Sequence, residues 1–378
     1  MIYVVKPGDN VDAIALENNI SVNELIYDNQ IEYPYALAVG QALYIRETAP
    51  EAGRSITVNG YAYPFINENI LEETLPYLTY LSIFSYGFTA EGALIPPLID
   101  PQFMIDASNE NNTSPILTLT PLDESGRFNN NLISSVVRND DIQLILIDAI
   151  LAELNSKGYT GVDVDFEYIL SEDRDYFTTF VARMTNILNE SGYTVSVALA
   201  PKTSADQQGL LYEGKDYAGL GAAANSVLLM TYEWGYTYSV PMAVAPVNKV
   251  RQVIEYAITE IPSAKIDMGI PNYGYDWPLP YEKGVTRART IGNIEAVNIA
   301  VRYGAVIQYD EIAQTPYFNY TDEQQTEHEV WFEDVRSMQA KFRLISEYNL
   351  RGAGYWQIMR LFRANWLLLS DTYRIIKQ

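Results

Sequence analysis

Between Gly161 and Tyr168 the chain reads Gly-Val-Asp-Val-Asp-Phe-Glu-Tyr, which sets three carboxylates, Asp163, Asp165 and Glu167, two residues apart among β-formers. Side chains of an extended strand alternate between faces, so all three acids share one face. A rise of about 3.3 Å per residue separates alternate α-carbons by roughly 6.6 Å, near enough for Asp163 and Asp165 to share a proton. Like charges so placed repel, and the usual relief is a raised pKa. A carboxyl that keeps its proton at neutral pH suits general acid catalysis, and the chemistry that fits is protonation of a glycosidic oxygen. Taken alone, the three acids also allow a divalent-cation site or a structural cluster, although hard cations usually draw ligands from several segments.

The rest of the chain holds elements that could aim such a strand. Strand-like segments at Ile56–Tyr61, Tyr80–Tyr86, Ile116–Thr120, Gly161–Glu167, Thr194–Ala200, Ser226–Tyr232, Ile266–Ile270 and Gly352–Gln357 alternate with helical patterns. Among the helices are Asp141–Lys157, Asp173–Ser191, Pro246–Glu260 and Trp331–Asn349. Eight strands in this alternation predict an α/β fold, a (β/α)8 TIM barrel, whose active site lies at the C-terminal ends of the strands. Glu167 is then nearest the mouth, with Asp165 one layer deeper and Asp163 deeper again. The long interval from Asn272 to about Val330, with a strand-like Gly304–Tyr309, predicts a small inserted lobe beside the mouth.

Residues 1–46 form a separate unit with the order strand, helix, helix, strand. Ile2–Val5 is extended, Asp9 or Asn10 can cap a helix carrying Val11, Ile14 and Ala15, and Ser21 can cap a second helix. Ala42–Ile45 closes the unit, and Glu47–Arg54 is a short polar linker containing Pro and Gly. The expected division is therefore 1–46, linker 47–55 and barrel 56–378.

Composition narrows the function classes. A net charge of −23 argues against nucleic acid and against anionic membranes as partners. With no cysteine there is no disulfide or thiol chemistry, and the single histidine, His328, makes a histidine-ligated metal or a Ser-His-Asp triad a poor fit. No metal and no cofactor is expected, and His328, between Glu327 and Glu329, reads as a surface residue. No run of about 18 apolar residues is present, and no signal peptide is visible. The 30 tyrosines offer flat faces with polar tips, which suit sugar rings.

Two resemblances join these readings. Tyr3-x-Val5-x-x-Gly8-Asp9, Ile14-Ala15, Ser21-Val22-x-x-Leu25, Asn29 and Leu37-x-x-Gly40-Gln41-x-Leu43-Tyr44-Ile45 resemble a LysM module, a binder of peptidoglycan and chitin. The resemblance implies that Gly8, Asp9, Asn10, Val11, Asn29 and Ile31 lie near the sugar. Gly161-x-Asp163-x-Asp165-x-Glu167, with Met230-Thr-Tyr232 and Trp356, resembles glycoside hydrolase family 18, the chitinase-like barrels. It implies Glu167 as the acid, Asp165 as holder of the substrate's acetamido N–H and Asp163 as its tuner. Tyr232 would donate to the acetamido carbonyl, with Trp356, Glu233 and Met230 around the sugar. That carbonyl would attack the anomeric carbon, forming an oxazolinium and giving net retention. Glu233 stands where chitinases usually carry Asp, which bears on specificity.

Met230-Thr-Tyr-Glu-Trp-Gly-Tyr236, Pro271-Asn-Tyr-Gly-Tyr-Asp-Trp277, Glu329-Val-Trp-Phe-Glu-Asp334 and Gly354-Tyr-Trp-Gln357 resemble the spore-associated LysM subgroup, the cortex-fragment N-acetylglucosaminidases. The implied partner is peptidoglycan, of the spore cortex or its fragments, and the implied place is the spore or cell wall. A chitinase acting on chitin oligomers, or a glycan-binding barrel without catalysis, are the alternatives.

Overall fold

The computed structural model describes residues 1–46 and 53–377. Eight strands, Ser55–Ala62, Tyr80–Phe88, Ser114–Leu119, Gly161–Val164, Thr194–Leu199, Ser226–Leu229, Ile266–Pro271 and Gly352–Trp356, pair in parallel in that order. The seventh pairs with the eighth and the eighth returns to the first, closing a (β/α)8 barrel. Closure leaves the core strands no free edge and aims every inward side chain at one axis. Gly161 opens the fourth strand because the fifth passes too close for a side chain there: a Cβ would lie 2.5 Å from the Thr194 carbonyl oxygen.

The helices cover the barrel through spaced apolar residues. Arg174–Glu190 buries Phe177, Phe180, Val181, Met184 and Leu188, a stripe at helical spacing. Each such side chain contributes about 1.5–3 kcal/mol when removed from water. Asp140–Lys157 starts at Asn139, whose side chain accepts from the amides of Asp141 and Ile142, and stops at left-handed Gly158. The helix expected from Trp331 begins only at Val335. Asp334 caps it by accepting from Arg336 N and Ser337 N, and Trp331 ends a strand instead.

That strand belongs to the inserted lobe, a five-stranded antiparallel sheet in the order Arg289–Ile291, Gly274–Pro278, Glu327–Trp331, Thr315–Thr321, Gln308–Asp310. Its helix, Asn293–Tyr303, lies within the interval expected to form the lobe, and the strand expected at Gly304–Tyr309 forms at Gln308–Asp310. His328 is half-buried in this lobe, where the sequence suggested an exposed residue. Its Nδ1 lies 2.7 Å from Asp276 Oδ1 and its ring stacks on Tyr320.

The N-terminal module has the expected order: Ile2–Val4, Val11–Glu17, Val22–Asp28 and Ala42–Tyr44, the two strands antiparallel. Asn10 and Ser21 cap its helices. The linker expected at 47–55 falls largely outside the described residues. The module is packed on the barrel and lobe. Gln30 accepts from Arg363 N at 2.7 Å, the Arg363 guanidinium lies 3.8 Å from the centre of the Tyr27 ring, and Tyr44 Oη donates to Asp371. On the lobe side Ile307 N donates to Val39 O, and Gly40 (φ +86) sits so close that a Cβ would meet Ile307 O at 1.9 Å.

Candidate active site

Beyond Val164 the fourth strand continues its alternation for three more residues. Val162, Val164 and Phe166 are buried outward beneath the helices, Phe166 against Phe88, Phe177 and Phe180. The acids between them therefore face the barrel axis. Asp165 N still donates to Leu119 O, after which the chain leaves the sheet and lifts Glu167 toward the mouth. Burial falls in that order: Asp163 is fully buried, Asp165 nearly so and Glu167 half-buried.

Asp163 does not share a proton with Asp165. Its two oxygens accept hydroxyls from neighbouring strands, Tyr61 Oη at 2.9 Å and Ser196 Oγ at 2.5 Å. Backbone spacing put the two acids within reach, but the barrel's curvature brings other strands nearer to Asp163. Burial pushes its pKa up, and the two hydroxyls oppose that. Asp165 is held well above the carboxylate range, first by burial and then by the charges of Glu167 and Asp163. Its Oδ1 is buried without a hydrogen-bond partner among the described residues. A buried carboxylate oxygen left bare is costly and marks a place where a donor is missing. Burial likewise raises Glu167, so it retains a proton at higher pH than a free glutamate.

One residue in this layer escaped the sequence reading. Lys215 is fully buried, and its Nζ donates to Phe166 O, the carbonyl between Asp165 and Glu167, and at 3.4 Å to Ala198 O. Its charge lowers both Asp165 and Glu167, and burial depresses its own pKa to about 8. Lys202, also buried, donates to Lys215 O and so fixes the backbone that carries it. A lone lysine in a polar loop gives no periodic signal; only the fold brings it under the acids.

Tyr232, just beyond the sixth strand, is half-buried, and its hydroxyl has no hydrogen-bond partner among the described residues. Burial and the charges of Asp165, Glu167 and Asp163 keep it protonated, hence a donor. Glu233 follows in the left-handed region (φ +66), an uncommon conformation for a side-chain-bearing residue. That turn puts its carboxylate under two hydroxyls, those of Tyr273 and, at 3.0 Å, Tyr275. Its side chain is open to the cleft, yet surrounding protein raises its pKa and the tyrosines pull it back.

Trp356 ends the eighth strand, its ring 5.0 Å from Phe84, 5.8 Å from Tyr61 and 6.2 Å from Tyr63. Tyr63 stacks in turn on exposed Phe65. The alternating aromatics Tyr61, Tyr63 and Phe65 at the end of strand one were the legible sign of this wall. Met230 packs against the same cluster, lining the floor from below. Acids, phenol and aromatic floor thus converge at one end of the barrel. Among the described residues no group of three or more His, Asp or Glu is placed to hold a metal ion.

Comparison with known proteins fits this geometry. Residues 125–360 match glycosyl hydrolases family 18, and residues 3–46 match the LysM domain. The chain belongs to glycosyl hydrolase family 18. It is a glycoside hydrolase carrying an N-terminal LysM module. It is 42% identical over 430 aligned positions to the cortical fragment-lytic enzyme of Bacillus subtilis, covering 100% of this chain and 99% of that protein. The crystal structure of the Bacillus megaterium spore cortex-lytic enzyme SleL superposes with a TM-score of 0.93 at 34% identity, covering 100% of this chain and 99% of that one. A chitinase from Chromobacterium violaceum superposes at 0.77 with 25% identity, over 84% of this chain and 98% of that one.

In the module, Gly8, Asp9 and Asn10 lie on the loop before the first helix. Asp9 is tied to Tyr3 Oη and Lys6 N, and Asn10 serves as the cap. Val11 and Ile31 belong to the module's core, each 7% exposed. Asn29 is buried, its amide spent on Leu25 O, Tyr44 O and Tyr44 N. Val11, Asn29 and Ile31 therefore shape the two loops from inside, where the resemblance implied positions near the sugar.

Proposed function

We propose that this chain is a retaining β-N-acetylglucosaminidase acting on peptidoglycan, that of the spore cortex or its fragments. The observation that carries the reading is the bare, buried Oδ1 of Asp165 next to a protonatable Glu167. An acetamido N–H supplies the missing donor. Glu167 gives its proton to the glycosidic oxygen as the C1–O bond breaks. The acetamido carbonyl oxygen forms a new bond to C1, its N–H held by Asp165 and its oxygen by Tyr232 Oη. Water then attacks C1, opens the oxazolinium and returns a proton to Glu167. Asp163, anchored by the Tyr61 and Ser196 hydroxyls, lies one layer below Asp165 and its charge helps keep Asp165 raised. Trp356 and Met230 carry the sugar, and Glu233 under its two tyrosines sets which sugar is accepted.

Residues 1–46 serve as the glycan anchor, through the loop Gly8–Val11 and the second loop shaped by Asn29 and Ile31, and 56–378 as the catalytic domain. The cortex assignment is supported by the relatives named above, and the spore or cell wall is the location proposed with it. Mass spectrometry of products from purified cortex, vegetative peptidoglycan and chitin tests it. Reducing-end N-acetylglucosamine from peptidoglycan is the expected product, and products from chitin alone would make the protein a chitinase. A thiazoline analogue of N-acetylglucosamine should inhibit; failure to do so would reject the acetamido nucleophile.

A further inference from the structure

Beside the cleft runs a second groove of about 630 Å³, between the LysM module and the barrel. Gln30 and Glu32 of the module, Asn298 and Arg302 of the lobe helix, and Asn272 and Arg360 of the barrel side line it. The barrel side is joined to the cleft. Asn272 N donates to Trp356 O at 2.9 Å, and Asn272 Nδ2 donates to Gln357 O and Arg360 O. Met359, also in the groove, takes the amide of Tyr63, whose ring packs against Trp356. The groove thus begins where the aromatic floor ends.

Its charge is unlike that of the rest of the molecule, which carries 48 acids against 25 bases. Arginines elsewhere are mostly paired, as at Arg138, Arg251, Arg336 and Arg351. In the groove Arg289 neutralises Glu295, while Arg302 and Arg360 form no ion pair among the described residues. Glu32 on the module side is the remaining acid, so the lobe and barrel sides stay positive. Two unpaired guanidiniums in a strongly acidic protein suit a carboxylate, which each can take by two parallel hydrogen bonds.

Chitin offers no carboxylate, whereas the peptide stems of peptidoglycan carry several. We infer that this groove is a carboxylate subsite, in which Arg302 and Arg360 hold the acidic peptide stem of the strand whose sugar lies over Trp356. The inference rests on the peptidoglycan reading above. It also gives the docked module a role, since Gln30 and Glu32 contribute to the lining of the groove.

The test compares the full chain with R302Q, R360Q and the double variant on three substrates. These are stem-bearing peptidoglycan fragments, the same fragments with their carboxyls amidated, and neutral N-acetylglucosamine oligomers. The double variant should raise KM about 5-fold on stem-bearing fragments, as two partly exposed ion pairs would. Its kcat there and its kinetics on the neutral oligomers should not move, and wild type on amidated fragments should behave like the double variant. An unchanged KM on stem-bearing fragments, or an equal loss on the neutral oligomers, would overturn the inference. A wild type that leaves stem-bearing fragments uncut refutes the peptidoglycan reading itself. The groove is then judged by calorimetric titration with a free stem tetrapeptide, where absence of binding, or equal binding by the double variant, rejects it.

Discussion

Replacing Lys215 with methionine separates electrostatics from architecture in the catalytic layer. The variant keeps an unbranched side chain of similar length and removes one buried charge. Two hydrogen bonds from a charged donor disappear, to Phe166 O and Ala198 O, each worth about 1.5–3 kcal/mol. The contact with the Phe177 ring, 5.4 Å away, also goes, at about 0.5–2 kcal/mol. Against this stands relief of a buried ammonium's desolvation, several kcal/mol. The net expectation is a loss of about 2 kcal/mol, read by denaturant unfolding.

The pH profile is the sharper readout. Lys215 lowers Asp165 and Glu167, so removing it raises both. The acid must be protonated to act, so the alkaline limb of kcat/KM, which reports Glu167 in the free enzyme, moves to higher pH. The acid limb moves the same way, because Asp165 and Glu167 titrate as an interacting pair. In wild type, Lys215 itself sheds its proton at about 8, and any inflection there should vanish in the variant. Loosening the Phe166 clamp should lower kcat about 10-fold or more, since small misplacements of reacting groups are costly. A lowered kcat with both limbs unmoved would refute the electrostatic role and leave Lys215 a structural strut.

Glu167→Gln should reduce turnover of soluble substrate by about 10²–10⁴-fold while leaving polymer binding intact in a pull-down; retained turnover would remove Glu167 from its role. Tyr232→Phe deletes a donor with no protein partner, so stability should hold while kcat falls about 10²-fold, and unchanged kcat would reject its contact with the acetamido oxygen. Gly40→Ala would place a Cβ 1.9 Å from Ile307 O at a left-handed φ. A loss of about 1–3 kcal/mol in thermal unfolding is expected, with faster proteolysis between module and barrel, and an unaltered melting curve would mean the docked contact is dispensable.

Periodicity was enough to read the frame. The period-2 run from Gly161 to Glu167 placed the three acids on one face, because outward Val162, Val164 and Phe166 have to bury against helices. Alternation of strands and helices predicted the barrel, and barrel geometry ranked the acids by depth. The helix caps at Asn10 and Ser21 were legible for the same local reason, a polar side chain answering an unpaired amide. What depends on distant segments was not legible. Asp163 bonds to strands one and five where its own chain offered Asp165, and Lys215 reaches the acids from a loop about 50 residues on, a separation that carries no sequence period. The helix cap at Asp334 overrode the apolar run before it, and Asn29 turned inward because two backbone groups of Tyr44 needed partners. Residue types and spacing determined which chemistry the chain could perform. Closure of the barrel, by bringing together residues remote in sequence, decided which groups hold the acids in place and which charges shift their protonation.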